Sequence, residues 1–397
     1  MYDIVIVGGS VAGLYYAYRL IENFPLNQKI LLIEKKSSFG DNVRCAQGVS
    51  LKYFKKYIPF HKRYVKNYIN KIEIKSIKEV VSDFINYNEG VIIDRKKLEF
   101  EFGEYVKENI DVWLDSYVFD VKREGNGFKL SVKDLKTEEI KSIYTKFLVA
   151  ADGAESKVFK SLGIRRSFPL KDLYITSYKL IKFKNKYSKK DVLEFYFGNE
   201  VAPGGYLWVF PQDDYIVNVG LGVSGELVSP QKTSFDYLKV FFREYFPYKE
   251  GIDYEVLEIK HAPLPTTSDP YPIVDDRVIG IGDSSNSVNP LTGAGIIEAF
   301  SMANIAVEET IKGFQKGDLS KGFFRTYQKR WKKLKGKYNP WFYKLREEIK
   351  TLDSNKLHKY KLLIDSIPPE KRTFWNFLKK LLIKNPFLLW QIKDFWK

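Results

Sequence analysis

The sequence of 397 residues predicts an α/β protein in which a parallel sheet is interrupted by antiparallel strands and followed by a helical C-terminal region. Three observations support this fold class. A short β-branched run at 3–7 leads through a glycine-rich turn into a helical stretch, which is typical of a parallel βα unit. Alternating apolar and polar segments at about 70–147 and 172–262 indicate antiparallel strands. After residue 320 the pattern is helical and interrupted by prolines.

The predicted domains are discontinuous, because the apolar run 278–281 followed by Gly282-Asp283 returns to the strand-then-turn pattern of the N-terminus. The first domain should therefore be completed late in the chain. The expected segments are 1–70, 92–170 and 263–320 for the first domain, 71–91 and 171–262 for an antiparallel β domain carrying the substrate site, and 321–397 for a basic, Trp-rich helical domain.

Composition excludes several kinds of chemistry. The chain has one cysteine and three scattered histidines, so neither an internal disulfide nor a zinc or iron site is expected. Redox chemistry would then require an organic cofactor. With no run of about 18 uncharged apolar residues and no basic leader, we expect neither a spanning helix nor a signal peptide. The expected location is the cytoplasm.

The net charge of +16 comes almost wholly from residues 321–397, which contain 21 Lys and Arg against 6 Asp and Glu. The same segment holds five of the seven tryptophans, Trp331, Trp341, Trp375, Trp390 and Trp396. Cations beside interfacial aromatics suit an anionic membrane surface, which predicts peripheral binding on the inner membrane face. A solvated basic helical domain with buried tryptophans is the alternative. Nucleic acid is not expected, because no nucleic-acid-binding module accompanies the charge.

The first motif is Gly8-Gly9-Ser10-Val11-Ala12-Gly13, between the first strand and the first helix. The outer glycines allow a tight turn and close packing of helix on strand, and the helix N-terminus faces a pyrophosphate. Ser10 replaces the middle glycine. Glu34, 21 residues after Gly13 and followed by Lys35, stands where a ribose-binding acid belongs. These features predict a Rossmann-type dinucleotide site; an ordinary glycine-rich turn is the alternative.

Two further strand-and-turn elements occur later in the chain. The apolar run 147–151 ends in Asp152-Gly153, and the run 278–281 leads into Gly282-Asp283. An acid at such a strand end can hold a ribitol hydroxyl. The glycines before the following helix allow its N-terminus to approach a flat ring and to stabilise negative charge on a reduced flavin. The residues expected there are Asp283, Pro290, Gly293, Gly295 and Ile296.

These three elements resemble the FAD-binding fold of the para-hydroxybenzoate hydroxylase type. Asp94-Arg95 matches the place where that group carries an arginine near the cofactor, and Val118 completes the expected FAD contacts. The resemblance implies a single FAD site. No second glycine motif occurs, so NAD(P)H, if used, would bind transiently.

Two more segments resemble the geranylgeranyl reductase family, including the archaeal digeranylgeranylglycerophospholipid reductases. Arg44-Cys45-Ala46-Gln47-Gly48 is similar to their cysteine-containing loop, and residues 206–211 are similar to their Tyr-x-Trp-x-Phe-Pro signature. The resemblance implies FAD-dependent reduction of isolated C=C bonds in the geranylgeranyl chains of an isoprenoid lipid or diphosphate. The electron source would be a ferredoxin, a nicotinamide or a quinol. Gln47 replaces an acid frequent in the family, which removes one proton donor.

The family pattern assigns catalytic positions to Cys45, Gly48, Tyr206 and Trp208, and places Arg44, Cys45 and Ala46 beside the flavin. Tyr206 and Trp208, two apart on a strand, should share one face. Taken alone, that aromatic pair also fits sheet packing, and Cys45 also fits a small buried hydrophobe. Water, Cys45 and Tyr206 all remain as proton donors.

Other functions fit the same fold. An FAD monooxygenase or halogenase is one alternative, although neither is expected to combine the Tyr206 and Trp208 signature with the Cys45 loop. A non-catalytic lipid-binding protein that retains flavin is another. A quinone-linked dehydrogenase would normally need an iron–sulfur cluster or a partner protein, and one cysteine cannot ligate a cluster.

Overall fold

The computed structural model describes residues 1–24, 27–267, 271–336 and 339–368, together with 371, 376 and 380. These residues form two compact units, each assembled from three separate parts of the chain. Unit 1 comprises Met1–Tyr64, Asp94–Asp172 and Leu264–Asn339, and unit 2 comprises Val65–Ile93, Leu173–Pro263 and the described residues from Pro340 onward.

The elements are numbered along the chain. The described strands are β1 (Tyr2–Val7), β2 (Ile30–Ile33), β3 (Gly48–Ser50), β4 (Val65–Lys75), β5 (Val80–Ile93), β6 (Asp111–Trp113), β7 (Ser116–Glu124), β8 (Gly127–Asp134), β9 (Ile140–Ala150), β10 (Leu173–Phe183), β11 (Val192–Phe197), β12 (Tyr206–Pro211), β13 (Ile216–Ser224), β14 (Tyr254–Pro265), β15 (Val274–Asp275) and β16 (Val278–Gly280). The described α-helices are α1 (Val11–Asn23), α2 (Leu51–Tyr57), α3 (Arg95–Asn109), α4 (Lys157–Ser161), α5 (Ser234–Glu244), α6 (Ile296–Lys316), α7 (Lys321–Gly336), α8 (Asn339–Ile349) and α9 (Ser354–Asp365).

Unit 1 contains a parallel sheet with the strand order β16-β9-β1-β2-β6. Val5 at its centre pairs with Leu31 on one side and Leu148 on the other. The central strands are apolar and buried, as expected for a parallel sheet covered on both faces. The hairpin β7–β8 continues the sheet antiparallel to β9. The predicted α/β fold, with a late strand completing an N-terminal parallel sheet, is confirmed.

Unit 2 contains a sheet with the order β14-β10-β13-β12-β11-β4-β5. The pairs β10–β13, β13–β12, β12–β11 and β4–β5 are antiparallel, as the alternating sequence pattern predicts. β11 and β4 instead pair in parallel, with Glu194 opposite Glu73. These two strands are far apart in sequence, so no hairpin turn imposes an antiparallel direction on them. Helix α5 packs on the sheet through Leu238 and Phe241.

The C-terminal helices differ from the predicted separate domain 321–397, because their described parts divide between the two units. In unit 1, α7 packs against α6 and buries Phe324, Tyr327 and Trp331. In unit 2, Leu357 and Ile364 of α9 belong to an apolar cluster with Val81 of β5. Apolar faces of these helices are thus buried against the sheets and helices of each unit.

Trp331 therefore fits the interpretation of a buried tryptophan, whereas the side chains of Trp341, Trp375, Trp390 and Trp396 lie outside the described residues. A search of the described helices finds none with the length and apolar character needed to cross a membrane.

Candidate functional site

The glycine-rich turn of unit 1 has the close backbone packing that its sequence predicts. Gly8 has a φ of +108°, and a Cβ at this position would lie 2.3 Å from the carbonyl oxygen of Ala151. A Cβ on Gly13 would lie 1.9 Å from the carbonyl oxygen of Gly8. Helix α1 can therefore sit directly on the end of β1 only because both positions lack a side chain. Ser10, the residue before α1, makes no side-chain cap to the helix.

Glu34 follows β2 and lies beside this turn. Its carboxylate is buried and accepts hydrogen bonds from the backbone N–H of Gly9 at 2.5 Å and of Lys36 at 3.0 Å. The adjoining Lys35 is exposed. The acid is therefore next to the turn, and its binding of a ribose stays a prediction.

Ser10, Arg95 and Glu99 form a hydrogen-bonded triangle between α1 and the first turns of α3. The Ser10 hydroxyl donates to Glu99 at 2.9 Å, and Arg95 donates to the Ser10 hydroxyl and to the Glu99 carboxylate, both at 2.7 Å. Burial alone would lower the pKa of Arg95, but the Glu99 carboxylate, with Cys45, raises it above its ordinary value. Arg95 is therefore a fixed cation beside the glycine turn. Glu99 is nearly fully buried, and its second oxygen has no hydrogen-bond partner among the described residues.

The cysteine-containing loop is tied to the same arginine. The Cys45 sulfur accepts the Gln47 N–H at 3.2 Å and also interacts with the Arg95 guanidinium. Gln47 has a φ of +67°, and its side-chain oxygen accepts the backbone N–H of Arg95 at 3.0 Å. An amide oxygen thus accepts a hydrogen bond where the family frequently has a carboxylate. Arg44 is exposed, whereas Ala46 and Gly48 are partly buried.

Asp152 follows β9, and its two carboxylate oxygens differ in their hydrogen bonding. One oxygen accepts the backbone N–H of Val158 at 3.0 Å, and the other is buried without a hydrogen-bond partner among the described residues. Burial raises the pKa of Asp152, and hydrogen bonds from Ser156 and Val158 oppose that rise. The adjacent Gly153 has a φ of +84° and open space around it. Val118 packs its side chain into the core of unit 1, so a cofactor contact there would involve its backbone.

The turn and loop between β16 and α6 form the third element. Burial raises the pKa of Asp283, against the opposing charges of Arg95 and Lys335. A Cβ on Gly295 would lie 3.3 Å from a Val288 methyl and 3.8 Å from an Asp283 carboxylate oxygen. Gly293 has a φ of +69°, whereas Pro290 and Ile296 are buried. Helix α6 begins after Gly295 without a side-chain cap.

These features fit FAD. Two helix N-termini without side-chain caps, those of α1 and α6, can face phosphate oxygens and a flavin ring. Asp152 retains an unpaired acceptor, and the glycines leave backbone room that side chains would fill. The search for clusters of His, Cys, Asp and Glu finds no metal site among the described residues.

Several residues of this region were not predicted from the sequence. Glu99 could have been, because an acid four residues after Arg95 on a helix can form an ion pair with it. Arg165 donates to the carbonyl oxygen of Ser284 at 2.6 Å and lies 3.8 Å from the ring centroid of Phe168. Burial lowers the pKa of Arg165 to about 10. Neither Arg165 nor Lys335 stands in a motif that could have identified it.

The other predicted catalytic pair lies in unit 2. Tyr206 and Trp208 have ring centroids 6.1 Å apart, as expected for one face of β12, and Leu207 and Val209 between and beyond them belong to the apolar core. The Trp208 indole N–H donates to the Asn218 side-chain oxygen at 2.7 Å. Gly220, the cross-strand partner of Trp208, makes room for the indole, because a Cβ there would lie 2.5 Å from the ring. Phe195 and Phe210 extend this aromatic face.

Comparison with known proteins agrees with these features. The family model of the geranylgeranyl reductase catalytic domain matches residues 174–262. The digeranylgeranylglycerophospholipid reductase of Methanocaldococcus jannaschii is 29% identical over 99% of this chain and 98% of its own length. The enzyme of the same name from Methanothrix thermoacetophila is 27% identical over 98% of each chain.

Two solved structures share the fold. A geranylgeranyl bacteriochlorophyll reductase-like protein from Thermoplasma acidophilum superposes with a TM-score of 0.87 at 22% identity, over 99% of both chains. A p-nitrophenol 4-monooxygenase from Pseudomonas putida superposes with a TM-score of 0.71 at 13% identity, over 97% of both chains.

The fold and these relatives define an FAD-dependent oxidoreductase, and the three predicted nucleotide-binding elements fit that class. Within that class the chain is geranylgeranyl reductase-like, and the family resemblance predicted from its motifs is confirmed.

Proposed function

We propose that this chain reduces isolated C=C bonds in the geranylgeranyl chains of a membrane ether lipid or of the corresponding diphosphate. The observation that carries this proposal is the catalytic-domain match at residues 174–262, which contains Tyr206 and Trp208 on one aromatic face. Relatives that are similar over nearly their whole length are named digeranylgeranylglycerophospholipid reductases, which supports the lipid as substrate.

The proposal assigns separate tasks to the two units. In unit 1, the N-termini of α1 and α6 with Glu34, Asp152 and Asp283 would hold FAD, which supplies hydride transfer when bound and reduced. In unit 2, the aromatic face of β12 would hold the apolar prenyl chain. An isolated alkene has no carbonyl to accept developing charge, so orientation and exclusion of water are the main tasks of these side chains.

Each reduced double bond gains two hydrogens and requires two electrons and two protons. The electrons would come from an external donor of low potential, such as a ferredoxin or NAD(P)H. Cys45, Tyr206 or water would supply the proton. The Cys45 sulfur acts as an acceptor towards the Arg95 guanidinium and the Gln47 N–H.

A direct test uses the holoenzyme, reduced chemically under anaerobic conditions and mixed with geranylgeranyl lipid or diphosphate. We expect flavin reoxidation in step with a substrate mass gain of two hydrogens per double bond. If the flavin stays reduced until oxygen is admitted, the monooxygenase alternative replaces this proposal.

We also propose that the basic C-terminal region holds the enzyme on anionic membrane at the cytoplasmic face. Lys329, Lys332 and Lys333 on α7 are exposed, in a segment with a large excess of positive charge. Their replacement by glutamine should weaken cosedimentation with phosphatidylglycerol vesicles but not with neutral vesicles, and should leave FAD content unchanged. Equal binding to both vesicle types by wild type would contradict the proposal.

A further inference from the structure

Lys335, near the end of α7, reaches into the loop that leads to α6. Its ammonium donates hydrogen bonds to the carbonyl oxygens of Asn286 at 2.5 Å and Val288 at 2.8 Å. This loop directly precedes the segment 290–295, which the motifs assign to the flavin. A side chain from a distant helix thus holds the backbone on which the proposed flavin contacts depend.

The surroundings of Lys335 leave its charge without a direct counterion. Among the described residues, no carboxylate lies within ion-pair distance of its ammonium. Burial lowers the pKa of Lys335 to about 7, although Glu298 and Asp283 act in the opposite direction. Burial likewise raises the pKa of Glu298 to about 7, and one Glu298 oxygen is buried without a hydrogen-bond partner among the described residues. Below that pH, Lys335 carries its positive charge while Glu298 holds its proton.

The position of the Lys335 charge matters because it acts on Glu298, which stands in the first turn of α6. The N-terminus of α6 already carries the positive end of the helix dipole and has no side-chain cap. A cation next to the same turn adds to that potential, and both favour an anionic group bound at this helix N-terminus. Flavin gains negative charge on reduction, so the reduced form should benefit more than the oxidised form.

We propose that Lys335 is a charge-setting and positioning residue for the flavin. Lys335 holds the loop before α6, and its charge raises the reduction potential of bound FAD. The inference rests on the proposed FAD site, and on hydrogen bonds that tie α7 to this loop. It assigns a cofactor-tuning role to a helix that carries none of the recognised motifs.

The experiment compares wild type with Lys335→Gln, Lys335→Met and Lys335→Arg as FAD-loaded full chains at pH 6. Glutamine removes the charge but keeps an N–H donor for the carbonyl oxygens, methionine removes both, and arginine keeps the charge. Lys316→Met, at an exposed position in the last turn of α6, is the matched control. FAD content is measured first, followed by the two-electron reduction potential.

We expect Lys335→Gln to retain FAD and to bind reduced FAD about tenfold less tightly relative to oxidised FAD, which corresponds to a potential about 30 mV lower. Lys335→Met should show the same shift with weaker flavin retention, and Lys335→Arg and Lys316→Met should match wild type. An unchanged potential in flavin-loaded Lys335→Gln overturns the charge-setting role. Loss of flavin from both uncharged variants, with retention by Lys335→Arg, assigns Lys335 to loop assembly alone and also overturns it. A wild-type chain that holds no FAD refutes the FAD site itself, which separates the two failures.

Discussion

Replacing Gly295 or Gly13 by alanine should remove FAD through two different physical effects. At Gly13, the new methyl would stand 1.9 Å from the Gly8 carbonyl oxygen, whereas ordinary contacts begin near 3.4 Å. Helix α1 and the end of β1 would have to separate by about 1.5 Å. At Gly295, the nearest protein atom is a Val288 methyl at 3.3 Å, which needs to yield by only a few tenths of an ångström.

Because the added methyl is much closer to its neighbours at Gly13 than at Gly295, the two variants should differ in their free energy of unfolding. Overpacking of the kind expected at Gly13 costs about 1–3 kcal/mol, and the helix preference of alanine over glycine offsets about 1 kcal/mol of that cost. A net loss of up to about 2 kcal/mol should lower Tm by up to about 4–8 °C for a unit of this size. Gly295→Ala should cost less than about 1 kcal/mol, because it changes only the residue before α6. Its methyl would, however, fill space beside the Asp283 carboxylate, where the flavin is expected.

The assay measures the ratio of flavin to protein absorbance, FAD affinity of the apoprotein, and Tm. Both variants should bind FAD at least about tenfold more weakly, but only Gly13→Ala should show the large fall in Tm. Gly322→Ala is the control, because the added methyl would meet the Ser320 hydroxyl at an ordinary 3.5 Å and the φ of Gly322 lies outside the left-handed region. Retention of full FAD content by Gly295→Ala would refute the placement of the cofactor at the N-terminus of α6.

Two further outcomes test single contacts. Trp208→Phe deletes the indole donor to Asn218 and should lower the free energy of unfolding by about 1–2 kcal/mol. It should also reduce turnover of the prenyl substrate, with FAD content unchanged. Turnover equal to that of wild type would exclude Trp208 from the site. Because the folded state holds the Glu298 proton up to about pH 7 and the unfolded chain releases it near pH 4.5, stability attributable to this group falls as pH rises between these values. The free energy of unfolding of Glu298→Gln, taken relative to that of wild type, should therefore rise by up to about 3 kcal/mol from pH 5 to pH 8, as measured by urea unfolding. The same difference at both pH values would contradict the raised pKa of Glu298.

Local patterns were sufficient to predict much of unit 1. The β-branched run, the glycine spacing and Glu34 each depend on residues close in sequence, and they predicted a turn whose close packing the structure shows. The same holds for the shared face of Tyr206 and Trp208, which follows from the two-residue period of a strand.

Features that depend on distant residues could not be predicted in this way. Nothing near Lys335 in the sequence indicates that its ammonium reaches Asn286 and Val288, because that contact depends on how α7 packs on α6. The parallel pair β11–β4 likewise depends on segments brought together by the tertiary fold. The C-terminal helices were expected in one domain because composition shows their charge but not the surfaces that their apolar faces cover.

The order of strands in unit 1 has a consequence for how the chain is made. β1 is synthesised first, yet its neighbour β9 ends at residue 150. The first part of β9 pairs with β8, but residues 148–150 have no second neighbour until β16 emerges at residue 278. Unit 2 is interrupted in the same way, since it too draws its third part from beyond residue 340. A nascent chain must therefore keep an unfinished sheet in unit 1 and an uncovered apolar surface in unit 2 in water while most of its length is translated. For the same reason, fragments that stop before residue 280 should aggregate rather than fold, and neither unit can be produced by cutting the gene at a single point.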